Sequence, residues 1–134
     1  MDKHDTVTTT GGAAIEETDR LIASDNVEGT AVYNRQSERL GTVHNFMVDK
    51  STGQVAYAVM SFGGFLGIGE SYHPLPWRVL KYDPRQGGFV IDLDRSKLEK
   101  APSYTAADRP NWADRNYGNR IDAFYGMAPY LGMI

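Results

Sequence analysis

The sequence predicts an all-β fold, a small antiparallel barrel of five or six strands with short C-terminal helices and a flexible N-terminal arm. Three observations predict it. Short apolar runs rich in β-branched residues alternate with turn signals between residues 26 and 100. Two connections, Asp49-Lys50-Ser51-Thr52-Gly53 and Tyr82-Asp83-Pro84-Arg85-Gln86-Gly87-Gly88, hold Gly where positive φ is needed, and the second also holds Pro where the turn opens. The 134 residues, 41% hydrophobic and 23% charged, suit one domain that needs neither metal nor disulfide to close its core.

The chain begins with an acidic stretch, two basic against six acidic residues over the first 25, with almost no large apolar side chain before Leu21. Residues 1–21 therefore read as a disordered arm. Thr30 to Tyr33 reads as a first strand, Asn34 to Arg39 as its polar turn, and Leu40 to Val48 as a second strand. In that second strand Val43 and the pair Phe46 and Val48 fall on opposite parities, so a β-bulge is expected near His44 or Asn45. The third strand, Val55 to Phe62, is apolar on both parities: Val55, Tyr57 and Val59 on one, Ala56, Ala58, Met60 and Phe62 on the other. One face can line a core; the other must be covered by another part of the chain or by a partner. Val79 to Tyr82 and Phe89 to Leu93 form a further hairpin. The expected core is Val32, Val43, Phe46, Val48, Ala58, Met60, Leu75, Val79, Phe89 and Ile91.

Beyond the hairpin, Asp94 is positioned to cap a short helix that Pro102 stops, and Asp108-Arg109-Pro110 to open a second one ending at Gly118. The chain thus divides into the arm (1–21), a barrel (22–100) and a C-terminal extension (101–134). The extension is charge-balanced and holds six of the fifteen aromatic residues: Tyr104, Trp112, Tyr117, Phe124, Tyr125 and Tyr130. Such a tail is expected to dock on the barrel or on a partner.

Composition removes several functions. Without cysteine there is no thiol nucleophile, disulfide framework or thiolate metal site. Fourteen basic against seventeen acidic residues is a poor balance for a nucleic-acid binder. No run is long enough to span a membrane and no secretory signal is seen, so a cytoplasmic protein is expected. His4, His44 and His73 lack the spacing of a metal pair, and no cofactor is expected; His73 beside Glu70 and Asp49 is the nearest to a ligand or acid-base group. Asp92 and Asp94 alternate as a solvated strand face does, and no serine lies in a Gly-x-Ser-x-Gly turn. The run Gly63-Gly64-Phe65-Leu66-Gly67-Ile68-Gly69 leads into Tyr72-His73-Pro74-Leu75-Pro76-Trp77, whose prolines forbid the helix a phosphate loop requires. Gly63, Gly64, Gly67 and Gly69 therefore read as a structural loop that presents Phe65 and Leu66.

The stretch GTVHNFMVDKSTGQVAYAVMSFGGFLGIGESYHPLPW resembles the PRC-barrel domain, through Gly41-x-Val43, Val48-Asp49, Gly53, Gly63-Gly64, Leu66-Gly67-Ile68-Gly69 and Pro76-Trp77. The family includes the cytoplasmic domain of the photosynthetic reaction-centre H subunit and the second half of a ribosome-maturation factor, and this chain is most similar to stand-alone bacterial members. The resemblance covers residues 22–100. It implies a PRC-type barrel serving as an assembly or adaptor surface, with no catalytic residue and no enzyme activity. The expected function is a non-catalytic module for protein–protein assembly; the alternatives are a small-ligand or metal-binding sensor, or an RNA- or ribosome-associated factor. The apolar excess adds a homodimer to the expectation, pairing through Tyr57, Val59, Phe65, Leu66, Trp112, Phe124 and Tyr125.

Overall fold

A computed structural model of the chain describes residues 17–18, 20–63 and 70–130. Its elements in order are α1 (Ser24–Val27), β1 (Ala31–Tyr33), β2 (Arg39–Val48), β3 (Val55–Phe62), β4 (Ser71–Pro76), a 3-10 turn (Trp77–Val79), β5 (Lys81–Asp83), β6 (Gly88–Val90), α2 (Arg95–Leu98) and α3 (Arg115–Phe124). The six strands form one sheet in the order β4-β3-β2-β1-β6-β5.

Local chemistry explains the turns. Between β2 and β3, Gly53 at φ +77° donates its N–H to the Asp49 carbonyl, and the Asp49 carboxylate accepts from the Ser51 N–H. Between β5 and β6, Pro84 opens the turn and Gly87 at φ +67° leaves it, with the Asp83 side chain accepting from the Arg85 N–H. Pro74 and Pro76 sit in β4, an end strand of the sheet, where a missing N–H does least harm.

The expected antiparallel barrel needs correction in two respects. β1 and β6 run parallel, with Val32 opposite Phe89 and Tyr33 opposite Val90. The sheet is also not closed: among the described residues no ladder joins β4 to β5. Both follow from the 3-10 turn. It carries the chain from one end of the sheet to the other as a corner rather than a reversal, so β5 keeps the sense of β4, and β6 takes that of β1.

The ladders of β2 are irregular at three places: Leu40 is skipped against β1, His44 is skipped against β3, and Ala56 of β3 is skipped opposite Met47 and Val48. Each irregularity bends and twists the strand that carries the extra residue, which wraps the sheet around its inner face. The His44 bulge lies where the parity of Val43 and Phe46 demands it. That inner face carries Val32, Leu40, Val43, Ala58, Met60, Leu75, Phe89 and Ile91, closed by Leu80, Leu98 and Ala101, with Phe46 and Val79 partly buried against it. Val48 is corrected: past the last bulge and next to the hairpin it is 48% exposed.

α2 starts as expected, with Asp94 Oδ1 accepting from the Lys97 N–H at 2.9 Å. The second helix is displaced. It begins after Asp114, whose Oδ1 accepts from the Asn116 N–H at 2.9 Å, and runs through Gly118 to stop before Gly126 at φ +71°. Gly118 is therefore no stop signal: a Cβ there would lie 3.3 Å from the Tyr57 hydroxyl, so it lets the helix approach β3.

Gly41 is the tightest position of the sheet. It pairs with Val32 on one side and Phe62 on the other, and a Cβ would collide with the Ser61 carbonyl oxygen and press on Met60. Because the obstacle is backbone, Gly41→Ala should lower unfolding free energy by about 1–3 kcal/mol, read as a fall in the urea midpoint. An unchanged midpoint would show that the strands can part there without cost.

Candidate functional site

β3 carries side chains into two separate cores. Ala58, Met60 and Phe62 enter the inner one. Tyr57 and Val59 face outward, where Met47 and Asn45 of β2 and Pro76 and Pro74 of β4 lie directly opposite them. The C-terminal extension packs over this outer face. Tyr104 first pairs with Tyr72 of β4 through two backbone hydrogen bonds of 2.8 and 3.0 Å, and their rings stack with centroids 5.4 Å apart. Farther on, Trp112 lies 5.6 Å from the Tyr57 ring and meets Tyr117 edge-on at 5.1 Å. Tyr57, Tyr117 and Ile121 are the buried centre of this second core, ringed by Met47, Ala56, Trp112, Tyr125 and Tyr130.

One carboxylate organises it. Asp122 is 1% exposed, and its Oδ2 accepts from the Tyr57 hydroxyl and from the Tyr130 N–H, both at 2.9 Å. The Tyr130 hydroxyl in turn donates to Asp49 Oδ2 at 2.8 Å, at the β2–β3 hairpin. Burial, reinforced by the Asp122 anion, pushes the Tyr57 phenol far above its ordinary value. The Tyr130 hydrogen bond holds Asp49 below the usual carboxylate range and raises Tyr130. Burial, aided by Tyr104 and opposed by Arg120, pushes Tyr117 up to about 12.

The structure therefore brings Tyr57, Trp112 and Tyr125 into one cluster and buries Val59 on the same strand face. Phe124 is 36% exposed, edge-on to Tyr125 at 5.0 Å. Gly63 ends β3 at φ +73°, a conformation that suits glycine. Gly64, Phe65, Leu66, Gly67 and Gly69 lie outside the described residues. Sequence reasoning missed Asp122; the signal it left is a lone acid in the run Ile121-Asp122-Ala123-Phe124-Tyr125.

The polar candidates disperse. His73 is buried, with Nε2 3.0 Å from Ser71 Oγ and its ring edge-on to Phe62 at 5.1 Å. Glu70 accepts from the Tyr72 hydroxyl at 3.1 Å while Asp49 is held by Tyr130, so the expected grouping of His73, Glu70 and Asp49 does not form. Asp92 faces Arg35 at 3.5 Å, and Asp94 is occupied as a helix cap. Among the described residues no group of three or more His, Asp or Glu side chains is placed to hold a metal ion.

A concave cleft of about 290 Å³ remains between the extension and the outer sheet face. Its walls include His44 and Asn45 of β2, Tyr72 of β4, and Tyr104, Arg109 and Trp112 of the extension.

Two outcomes follow from these placements. Asp122→Ala leaves the Tyr57 hydroxyl and the Tyr130 N–H without their acceptor, and should cost about 2–3 kcal/mol with faster amide exchange across α3; a loss below about 0.5 kcal/mol would mean that ring packing alone holds the extension. Burial holds the His73 imidazole down at about 4, so the unfolded chain binds more protons between that value and about 6.5. Its contribution is complete above about pH 6.5 and is lost as the pH falls toward 4, by about 2–3 kcal/mol. Urea midpoints at pH 7 and 4.5 should lie further apart for wild type than for His73→Gln; equal separations would remove His73 as a source of acid sensitivity.

Among the described residues no helix is long and apolar enough to cross a membrane. No curated protein matches the sequence. Among solved structures the chain is similar to RimM of Pseudomonas aeruginosa, described as a 16S ribosomal RNA processing protein, at 19% identity and a TM-score of 0.35. That likeness covers 55% of this chain and 44% of the other, so the chain matches less than half the length of RimM. The family model of the PRC-barrel domain matches residues 19–98, more than half of the sequence, and the chain belongs to the PRC-barrel domain family.

Proposed function

We propose that this PRC-barrel protein is a non-catalytic interaction module that holds a protein partner on the face completed by its C-terminal extension. The observation that carries the reading is the extension itself. It makes one unit with the outer face of β3, tied to it by the hydrogen bond from the Tyr57 hydroxyl to Asp122 Oδ2. The Ser71–His73 hydrogen bond lies with its imidazole buried against Phe62, away from the extension, and family membership supports a binding role.

The same geometry bears on the homodimer. Tyr57 and Val59 lie beneath the chain's own residues, so the β3 part of the apolar surface that argued for self-association is covered in cis, and Phe124 is the most exposed aromatic among the described residues of the extension. The form this reading favours is a monomer with a dedicated protein partner. Light scattering of the full chain at high micromolar concentration should give the monomer mass; a dimer mass would return the assembly role to self-pairing. The partner is tested by cross-linking in extract of the source cells, comparing wild type with Phe124→Ser and Arg109→Gln. A stoichiometric protein adduct that weakens in either variant supports the module. Co-sedimentation with ribosomal subunits through RNA alone, or turnover of a metabolite without any adduct, would overturn it.

A further inference from the structure

The cleft beside the extension has the composition of a small-molecule site, and the bulge in β2 is what produces it. In a regular strand His44 and Asn45 would point to opposite faces; because the register skips His44, both line the same outer cleft. His44 lies against Tyr72, ring centroids 4.8 Å apart, and Tyr72 stacks on Tyr104, so three adjoining rings line one wall. Trp112 is a further aromatic side of the cleft.

One charged group stands at this wall. Arg109 is exposed and makes no ion pair among the described residues. Its charge reaches both phenols: it opposes the rise in pKa that the Glu70 hydrogen bond causes at Tyr72 and that burial causes at Tyr104. The cleft therefore offers aromatic side chains and a cation without an ion pair among the described residues. At about 290 Å³ it is near the lower end of small-molecule sites, roughly 300 Å³ upward, which suits one or two fused rings rather than a long chain.

We infer that this cleft binds a small planar aromatic anion, its ring among Tyr72, Tyr104 and Trp112 and its anionic group toward Arg109. Aromatic packing favours a flat ring and the guanidinium selects the charge. The inference goes beyond the assembly role, since the cleft is lined by one chain.

The test uses the full chain and three probes in nuclear magnetic resonance titrations. Indole-3-carboxylate has both features; indole lacks the charge and cyclohexanecarboxylate lacks the aromatic face. The two tryptophans provide the readout, because Trp112 lines the cleft whereas Trp77 packs against the inner core. Indole-3-carboxylate should move the Trp112 indole N–H signal and leave that of Trp77 in place, and should bind at least about tenfold tighter than each partial probe, the size of one charge-assisted contact. Arg109→Gln, at an exposed position, should remove the advantage over indole. Equal binding of all three probes, an unmoved Trp112 signal, or an Arg109→Gln variant that binds like wild type would each overturn the inference.

Discussion

A carboxylate sealed between a strand and a helix is the constraint on which the rest of this molecule depends. Asp122 has lost nearly all contact with water, and the cost of that is offset only while the Tyr57 hydroxyl and the Tyr130 N–H remain aimed at it. Helix α3 cannot rotate or slide along β3 without breaking both. The aromatic side chains of the extension supply the bulk of the buried area, but rings pack acceptably in several arrangements; the carboxylate selects one.

That selection lets one thin sheet support two cores. β3 has almost no polar residue to turn outward, and in a sheet covered on only one side it would expose Tyr57 and Val59 to water. Covering it from the same chain keeps the molecule complete without a partner. It also sets the boundary of the aromatic cleft, whose one wall belongs to the sheet and whose other wall belongs to the extension. The bulge at His44 serves both purposes, since it bends β2 around the inner core while giving the outer face two successive side chains.

Much of this was legible in the sequence, for reasons that differ by element. The β2–β3 and β5–β6 turns are written in Gly53, Pro84 and Gly87, whose backbone preferences act locally. The bulge was legible because Val43 and Phe46 cannot share a face without one. The excess of apolar residues on β3 and the aromatic extension pointed to Tyr57 and Trp112 as residues seeking cover. The parallel contact of β1 with β6 was not legible, because it depends on a corner at Trp77–Val79 whose residues carry no turn signature. The start of α3 was misplaced because Asp108 and Asp114 are equally good caps, and the choice is made by what Tyr117 and Ile121 bury. Asp122 escaped notice for the same reason: its partner Tyr57 is 65 residues away in the chain.

That separation has a consequence for how the protein is made. The β2–β3–β4 part of the inner core can assemble from neighbouring hairpins, whereas the outer core joins β3 to α3 across 65 residues and the β2–β3 hairpin to Tyr130 across 81. Contacts of such range form late, since the closing of a long loop is costly until other structure shortens it. During synthesis at about 5–20 residues per second, the outer face of β3 stays bare for several seconds after its last residue is joined. For that interval the nascent chain displays Tyr57 and Val59 on a nearly finished sheet, and this is when it is most open to capture by a chaperone or by another copy of itself.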